Sequence, residues 1–217
     1  MSSLPDIVYT IAIWALPILF AITLHEAAHG WVAYKLGDPT AKSLGRISIN
    51  PFKHIDPMGT VIVPLFLAMV SPFVMGWAKP VPVEPRYFKS PQLDMALVAV
   101  AGPVSNFLMA CFWAIFIKMI SMMMDPSQLL IFLAAMAKNG IIINIVLMVL
   151  NLLPIPPLDG GRVVAGILPP ALALPYMKLE RFGMVIILLL LLSGILGKIL
   201  WPIVLHFIKI VSLIFGL

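Results

Sequence analysis

Long apolar runs broken by very few charges decide what this chain can fold into. Of its 217 residues 62% are hydrophobic and 11% are charged, and mean hydropathy is +1.09. An ordinary soluble domain carries roughly 25% charged residues. A helix needs about 20 mainly apolar residues to cross the hydrocarbon of a bilayer, where each backbone polar group must be satisfied inside the segment. Five stretches qualify: 7–35, 93–119, 129–152, 182–198 and 201–215. A tight connection near Gly197–Pro202 separates the last two, which read as an antiparallel hairpin. The expectation is a single all-α polytopic membrane domain over 1–217, with its core at 7–162 and a C-terminal helical hairpin at 182–216.

A sixth apolar stretch, 58–75, contains Pro64 and Pro72. It either spans or re-enters, so five to six transmembrane helices are expected. If it spans, the basic residues are divided between the two faces. If it dips in and returns, Lys35, Lys42, Arg46, Lys53, Lys79, Arg86, Lys89, Arg162, Lys178 and Arg181 all share one side. Cytoplasmic Lys/Arg bias favours the re-entrant reading. No Lys or Arg precedes the first run, so that run reads as a retained helix with its N-terminus outside. The net charge of +5 is scattered over short loops, which points to a cell-membrane bilayer and away from nucleic acid. Cys111 stands alone and cannot form an intrachain disulfide. Segments 43–50 and 79–85 look extended, and the prolines of the second suit a sheet edge or a polyproline stretch. Together they suggest a small β-sheet near the cytoplasmic face.

The most informative motif is His25-Glu26-Ala27-Ala28-His29. Residues i and i+4 lie on one helix face, so two imidazoles can share one zinc while the glutamate between them serves as general base. Three ionisable side chains in five positions of a membrane helix are costly unless they have a function. Lys35 follows Glu26 by nine residues, roughly 13 Å along a helix. The motif therefore sits below the membrane surface rather than at its rim.

A catalytic zinc needs a third protein ligand and an open position. His54, Asp56, Asp94, His206 and Asp159 are the candidates. Asp159 ends a run in which Pro154, Pro156 and Pro157 break a helix, and broken backbone at membrane depth must line protein or a watery cavity. It reads equally well as a cavity carboxylate or as a cap on the following helix.

Three motifs in order, His25–His29, Gly102-Pro103-Val104-Ser105-Asn106 and Asn151 through Gly161, resemble those of the site-2 intramembrane metalloproteases. The segment from Gly76 to Val83 is similar to a compact bacterial or archaeal branch without a PDZ or CBS domain. The resemblance implies one zinc per chain, with Asp159 as third ligand beside His25 and His29 and with Glu26 as base. It also implies that Asn151 steadies the substrate carbonyl or its oxyanion, and that Asn106 serves helix packing or substrate contact. The implied activity is hydrolysis of peptide bonds within transmembrane segments of other proteins, at a site facing the cytoplasm. The rival reading is a membrane carrier or binder of divalent metal. Lys138, inside the third run, has no assigned role at this stage.

Overall fold

The computed structural model describes residues 3–63, 78–123 and 127–217. Its helices are α1 (Leu4–Lys35), the single turn α2 (Thr40–Ser43), α3 (Pro91–Ser121), α4 (Gln128–Asn151), α5 (Asp159–Ile167), α6 (Pro170–Met177), α7 (Glu180–Leu192) and α8 (Ile195–Phe215). Ser3 and Asp6 start α1 with a reciprocal capping box, and Pro5 occupies the first turn, where its missing N–H is not needed. Among the described residues four helices are long and apolar enough to cross a bilayer: α1, α3, α4 and α8. They mark a membrane protein.

This corrects the expected five to six crossings. The C-terminal break does not fall at Gly197–Pro202. It falls at Ser193–Gly194, where Gly194 adopts a left-handed conformation (φ 72°) open to a residue without Cβ. Pro202 is accommodated within α8. Moving the turn leaves α7 with 13 residues, about 20 Å of helix, well short of the roughly 30 Å of hydrocarbon. α8 then crosses alone. Gly194 and Gly197 share a groove with Val146, near the Asn151 end of α4. At the other end of α8, Lys118 Nζ of α3 donates to the Gly216 carbonyl (2.9 Å). The turn between the last two helices was misplaced because Pro202 is held inside α8 and does not end a helix.

The expected β-sheet is also overturned, since no strand occurs among the described residues. In the 43–50 segment the amides of Ser43, Leu44, Gly45 and Arg46 are spent in turns, on Pro39, Thr40, Lys42 and Ala41 carbonyls. In the 79–85 segment Pro80, Pro82 and Pro85 have no amide hydrogen. Three of the four remaining donors go elsewhere: Lys79 N–H to the His54 carbonyl (2.9 Å), Val81 N–H to Glu26 Oε2 (2.8 Å) and Glu84 N–H to Asp38 Oδ2 (2.7 Å). With three prolines and three amides already engaged, too few donors are left for a ladder. Of the 58–75 stretch, Pro57–Ile62 forms a π-helical turn, and everything from residue 64 onward lies outside the described residues.

Helix association in lipid relies on close packing and interhelical hydrogen bonds rather than on hydrophobic expulsion from water. The core between α3, α4 and α8 follows that rule. Ala110, Ala114 and Ala137 are fully buried, and the Trp113 ring packs in the space they leave, with Ile145, Met148, Val204 and Val211 around it. Lys138 is exposed on the outward face of α4.

Asp38 ties the loop after α1 to the 79–85 segment. Its Oδ1 accepts from the Thr40 amide (2.9 Å) and hydroxyl, and its Oδ2 from the Glu84 amide. Burial pushes the carboxyl upward, but the Thr40 hydroxyl and the two amides outweigh it and hold its pKa below the ordinary value. A lowered folded-state pKa contributes stability above the unfolded value, and that contribution is lost as pH falls through the folded one. Asp38→Ala is therefore expected to cost about 2 kcal/mol at pH 7 and to flatten the acid side of the stability profile. Thermal unfolding in detergent across a pH series checks both.

Candidate metal centre

The site is assembled by three elements. α1 carries His25, Glu26 and His29 on adjacent turns. α3 runs antiparallel to it, so that Val98 lies opposite His29 and Asn106 opposite His25. The broken segment after α4 returns the chain so that Asp159, the first residue of α5, faces both histidines. His25 Nε2 and His29 Nε2 lie 3.0 Å apart. Asp159 Oδ2 lies 3.1 Å from the first and 3.4 Å from the second. Among the described residues no other trio of His, Cys, Asp or Glu converges in this way.

The hydrogen bonds behind the rings say which atoms face inward. His29 Nδ1 lies 2.7 Å from the Val98 carbonyl oxygen, which can only accept, so Nδ1 carries the proton. His25 Nδ1 lies 2.7 Å from Asn106 Oδ1, again an acceptor. With the rings neutral, both Nε2 atoms present bare lone pairs to each other and to Asp159 Oδ2, a buried oxygen with no hydrogen-bond donor. Three mutually repelling lone pairs brought this close together are stable around a cation. Zinc with nitrogen and oxygen ligands at about 2.0–2.1 Å in tetrahedral geometry places its donor atoms about 3.3 Å apart. The observed triangle matches that spacing, so the donor set fits zinc.

Gly102 makes the approach possible. A Cβ there would lie 2.5 Å from His25 Cε1 and from His29 Nε2. The glycine of the Gly-Pro motif thus lets α3 press against the rings themselves.

A cavity of about 160 Å³ opens on this cluster, lined by His25, Glu26, His29, Asn151, Asp159 and Arg162, with Val81 across it. All five residues singled out from sequence as catalytic or metal-binding therefore meet in one place. Glu26 accepts the Val81 N–H on Oε2. Asn151 donates from Nδ2 to the Leu147 carbonyl of its own helix (3.0 Å). The other candidate ligands lie elsewhere. His54 Nε2 faces the Ser48 carbonyl (2.9 Å), Asp56 accepts from Gly59, Asp94 accepts from Ser90, and His206 is exposed on α8. Asn106, undecided between packing and substrate contact, backs His25. Asn144 was not singled out at all, although a lone amide in the apolar run 140–150 was a usable signal.

Gly102→Ala is expected to displace both rings and lower the zinc retained per purified chain. Gly197→Ala, where an added Cβ meets nothing within 4 Å, should retain it. Metal analysis of the two variants beside wild type tests this.

The chain matches no family profile and no solved structure. It is 38% identical over 205 residues to "Putative zinc metalloprotease YwhC" of Bacillus subtilis (strain 168), covering 93% of this chain and 87% of that protein. It is 28% identical over 181 residues to "Putative zinc metalloprotease Rip2" of Mycolicibacterium smegmatis, covering 83% of this chain and 66% of the relative. The Rip2 of Mycobacterium tuberculosis (strain H37Rv) is 28% identical over 180 residues, with 82% and 66% covered. By its likeness to YwhC along nearly the whole length of both proteins, the chain belongs to the zinc metalloprotease family of which YwhC is a member.

Proposed function

We propose that this protein is an intramembrane zinc metalloprotease of the site-2 type, cutting peptide bonds within transmembrane segments of other membrane proteins. The observation that carries the reading is the meeting of His25, His29 and Asp159 with Glu26 in one polar cavity among apolar crossing helices. The relatives' names supply the chemical class.

His25, His29 and Asp159 would hold one zinc. When bound, zinc supplies Lewis acidity, lowering the pKa of water toward about 7 and polarising a carbonyl. Glu26 takes the proton of the attacking water and returns it to the leaving amine, so that no net proton is consumed at the carboxylate. Its Oε2 is steadied by the Val81 amide, which leaves Oε1 for proton transfer. Asn151 spends one amide hydrogen on Leu147, and the second is available to the oxygen of the scissile carbonyl, where negative charge develops. The Lys and Arg residues of the loops after α1 and after α4 support a site facing the cytoplasm, with the N-terminus outside.

The test is cleavage of a model transmembrane substrate by purified protein, with zinc measured in parallel. Glu26→Gln should retain zinc and lose cleavage by about 10²–10⁴-fold, the range of general-base catalysis. Asp159→Ala should lose both, and a chelator should reproduce that loss in wild type. Normal cleavage by Glu26→Gln would refute the mechanism. Zinc movement into vesicles without any cleavage would favour a carrier.

A further inference from the structure

Two asparagines are fully buried between the helices, and the reaction uses neither directly. Asn106 Nδ2 donates to the Ala21 carbonyl of α1 (3.1 Å) and to Asn144 Oδ1 of α4 (3.0 Å). Asn144 Nδ2 donates to the Gly140 carbonyl one turn back in its own helix (2.8 Å). Both residues are 0% exposed, so water cannot substitute for a missing partner.

These bonds have a direction. The Gly140 carbonyl can only accept, which turns the Asn144 amide nitrogen toward it and the Asn144 oxygen toward Asn106. That oxygen and the Ala21 carbonyl both require donors, which orients the Asn106 nitrogen toward them. The Asn106 oxygen is then the atom that meets His25 Nδ1, 2.7 Å away. The proton must sit on Nδ1, and the lone pair on Nε2 faces Asp159 and His29. If the Asn106 amide were reversed, its nitrogen would face Nδ1, the imidazole proton would move to Nε2, and the nitrogen facing the cluster would lose its lone pair.

We propose that Asn144 is a positioning residue for the metal centre. By fixing which end of the Asn106 amide faces His25, it keeps His25 Nε2 as the metal-binding nitrogen, although Asn144 touches neither histidine nor carboxylate. The inference rests on the metal-centre reading above. It differs from simple interhelical glue, which would stabilise the bundle and leave zinc affinity unchanged. Outer partners of metal-binding histidines typically change affinity by about 10–100-fold when removed.

Zinc affinity is measured by competition with a chromophoric chelator on full-length protein in detergent, with helix content and thermal unfolding recorded on each variant. Asn144→Leu removes the acceptor and should weaken zinc by about 10–100-fold. Asn144→Asp, protonated in its apolar site, can still donate to Gly140 and accept from Asn106, and should restore most of the affinity. Asn106→Ala with Asn144→Leu should be no weaker than Asn106→Ala alone, because the effect passes through Asn106. A folded Asn144→Leu with wild-type affinity overturns the proposal. If that variant does not fold, ¹⁵N-histidine spectra of zinc-loaded wild type decide, since the proposal requires His25 with Nδ1 protonated and Nε2 on the metal. Coordination through Nδ1 overturns it. Wild-type protein that binds no zinc would instead sink the metal-centre reading, and this inference with it.

Discussion

The convergence of His25 Nε2, His29 Nε2 and Asp159 Oδ2 within 3.4 Å is the arrangement around which the rest of the structure is organised. Electron pairs so placed repel one another, and a buried, unpaired polar atom is costly. The protein opposes that repulsion with hydrogen bonds behind each ring and with helix packing that leaves the rings no other place. Val98 of α3 holds one histidine and Asn106 of α3 the other, while Gly102, between them in sequence, brings the helix near enough for both. The same three atoms that are unfavourable alone become a strong site for a small divalent cation.

This constraint also explains why the buried side-chain amides between the helices lie along one seam. Each polar group placed at membrane depth needs a partner, and here the partners come in sequence: Gly140, Asn144, Asn106 and Ala21, then His25. Away from the seam the contacts are apolar and small, as among Ala110, Ala114, Ala137 and Trp113. The 79–85 segment follows the same economy at the cavity mouth. Three of its four amides serve Glu26, Asp38 and His54, so it crosses the site as a tethered strap.

Legibility in the sequence varied with the range of the interactions involved. The runs that became α1, α3 and α4 were plain from hydropathy, because a bilayer imposes both a length and a composition on each crossing. The C-terminal pair was not, since Gly197 and Pro202 are stronger breakers on paper than Ser193–Gly194, and α8 tolerates both. The extended look of 43–50 and 79–85 was misleading for a different reason. Alternation describes where side chains point, while a sheet needs free backbone donors, and many of these had been taken by turns and carboxylates.

By itself the sequence determined that the chain is built for lipid, that His25 and His29 share a helix face with Glu26 between them, and that the prolines from Pro154 to Pro157 must break a helix ahead of Asp159. Those are local properties, set by spacing along a helix and by the cost of charge in hydrocarbon. The ordered motifs implied Asp159 as third ligand, but the residues alone left it level with a helix cap, and tertiary structure is what brings Asp159 rather than His54, Asp56, Asp94 or His206 to the two histidines. It alone decided which ring nitrogens face inward, and that Asn144, more than a hundred residues from His25, lies two hydrogen bonds away from it. Such pairings depend on how three helices and a broken loop pack, and packing joins residues whose separation along the chain carries no signal of their contact.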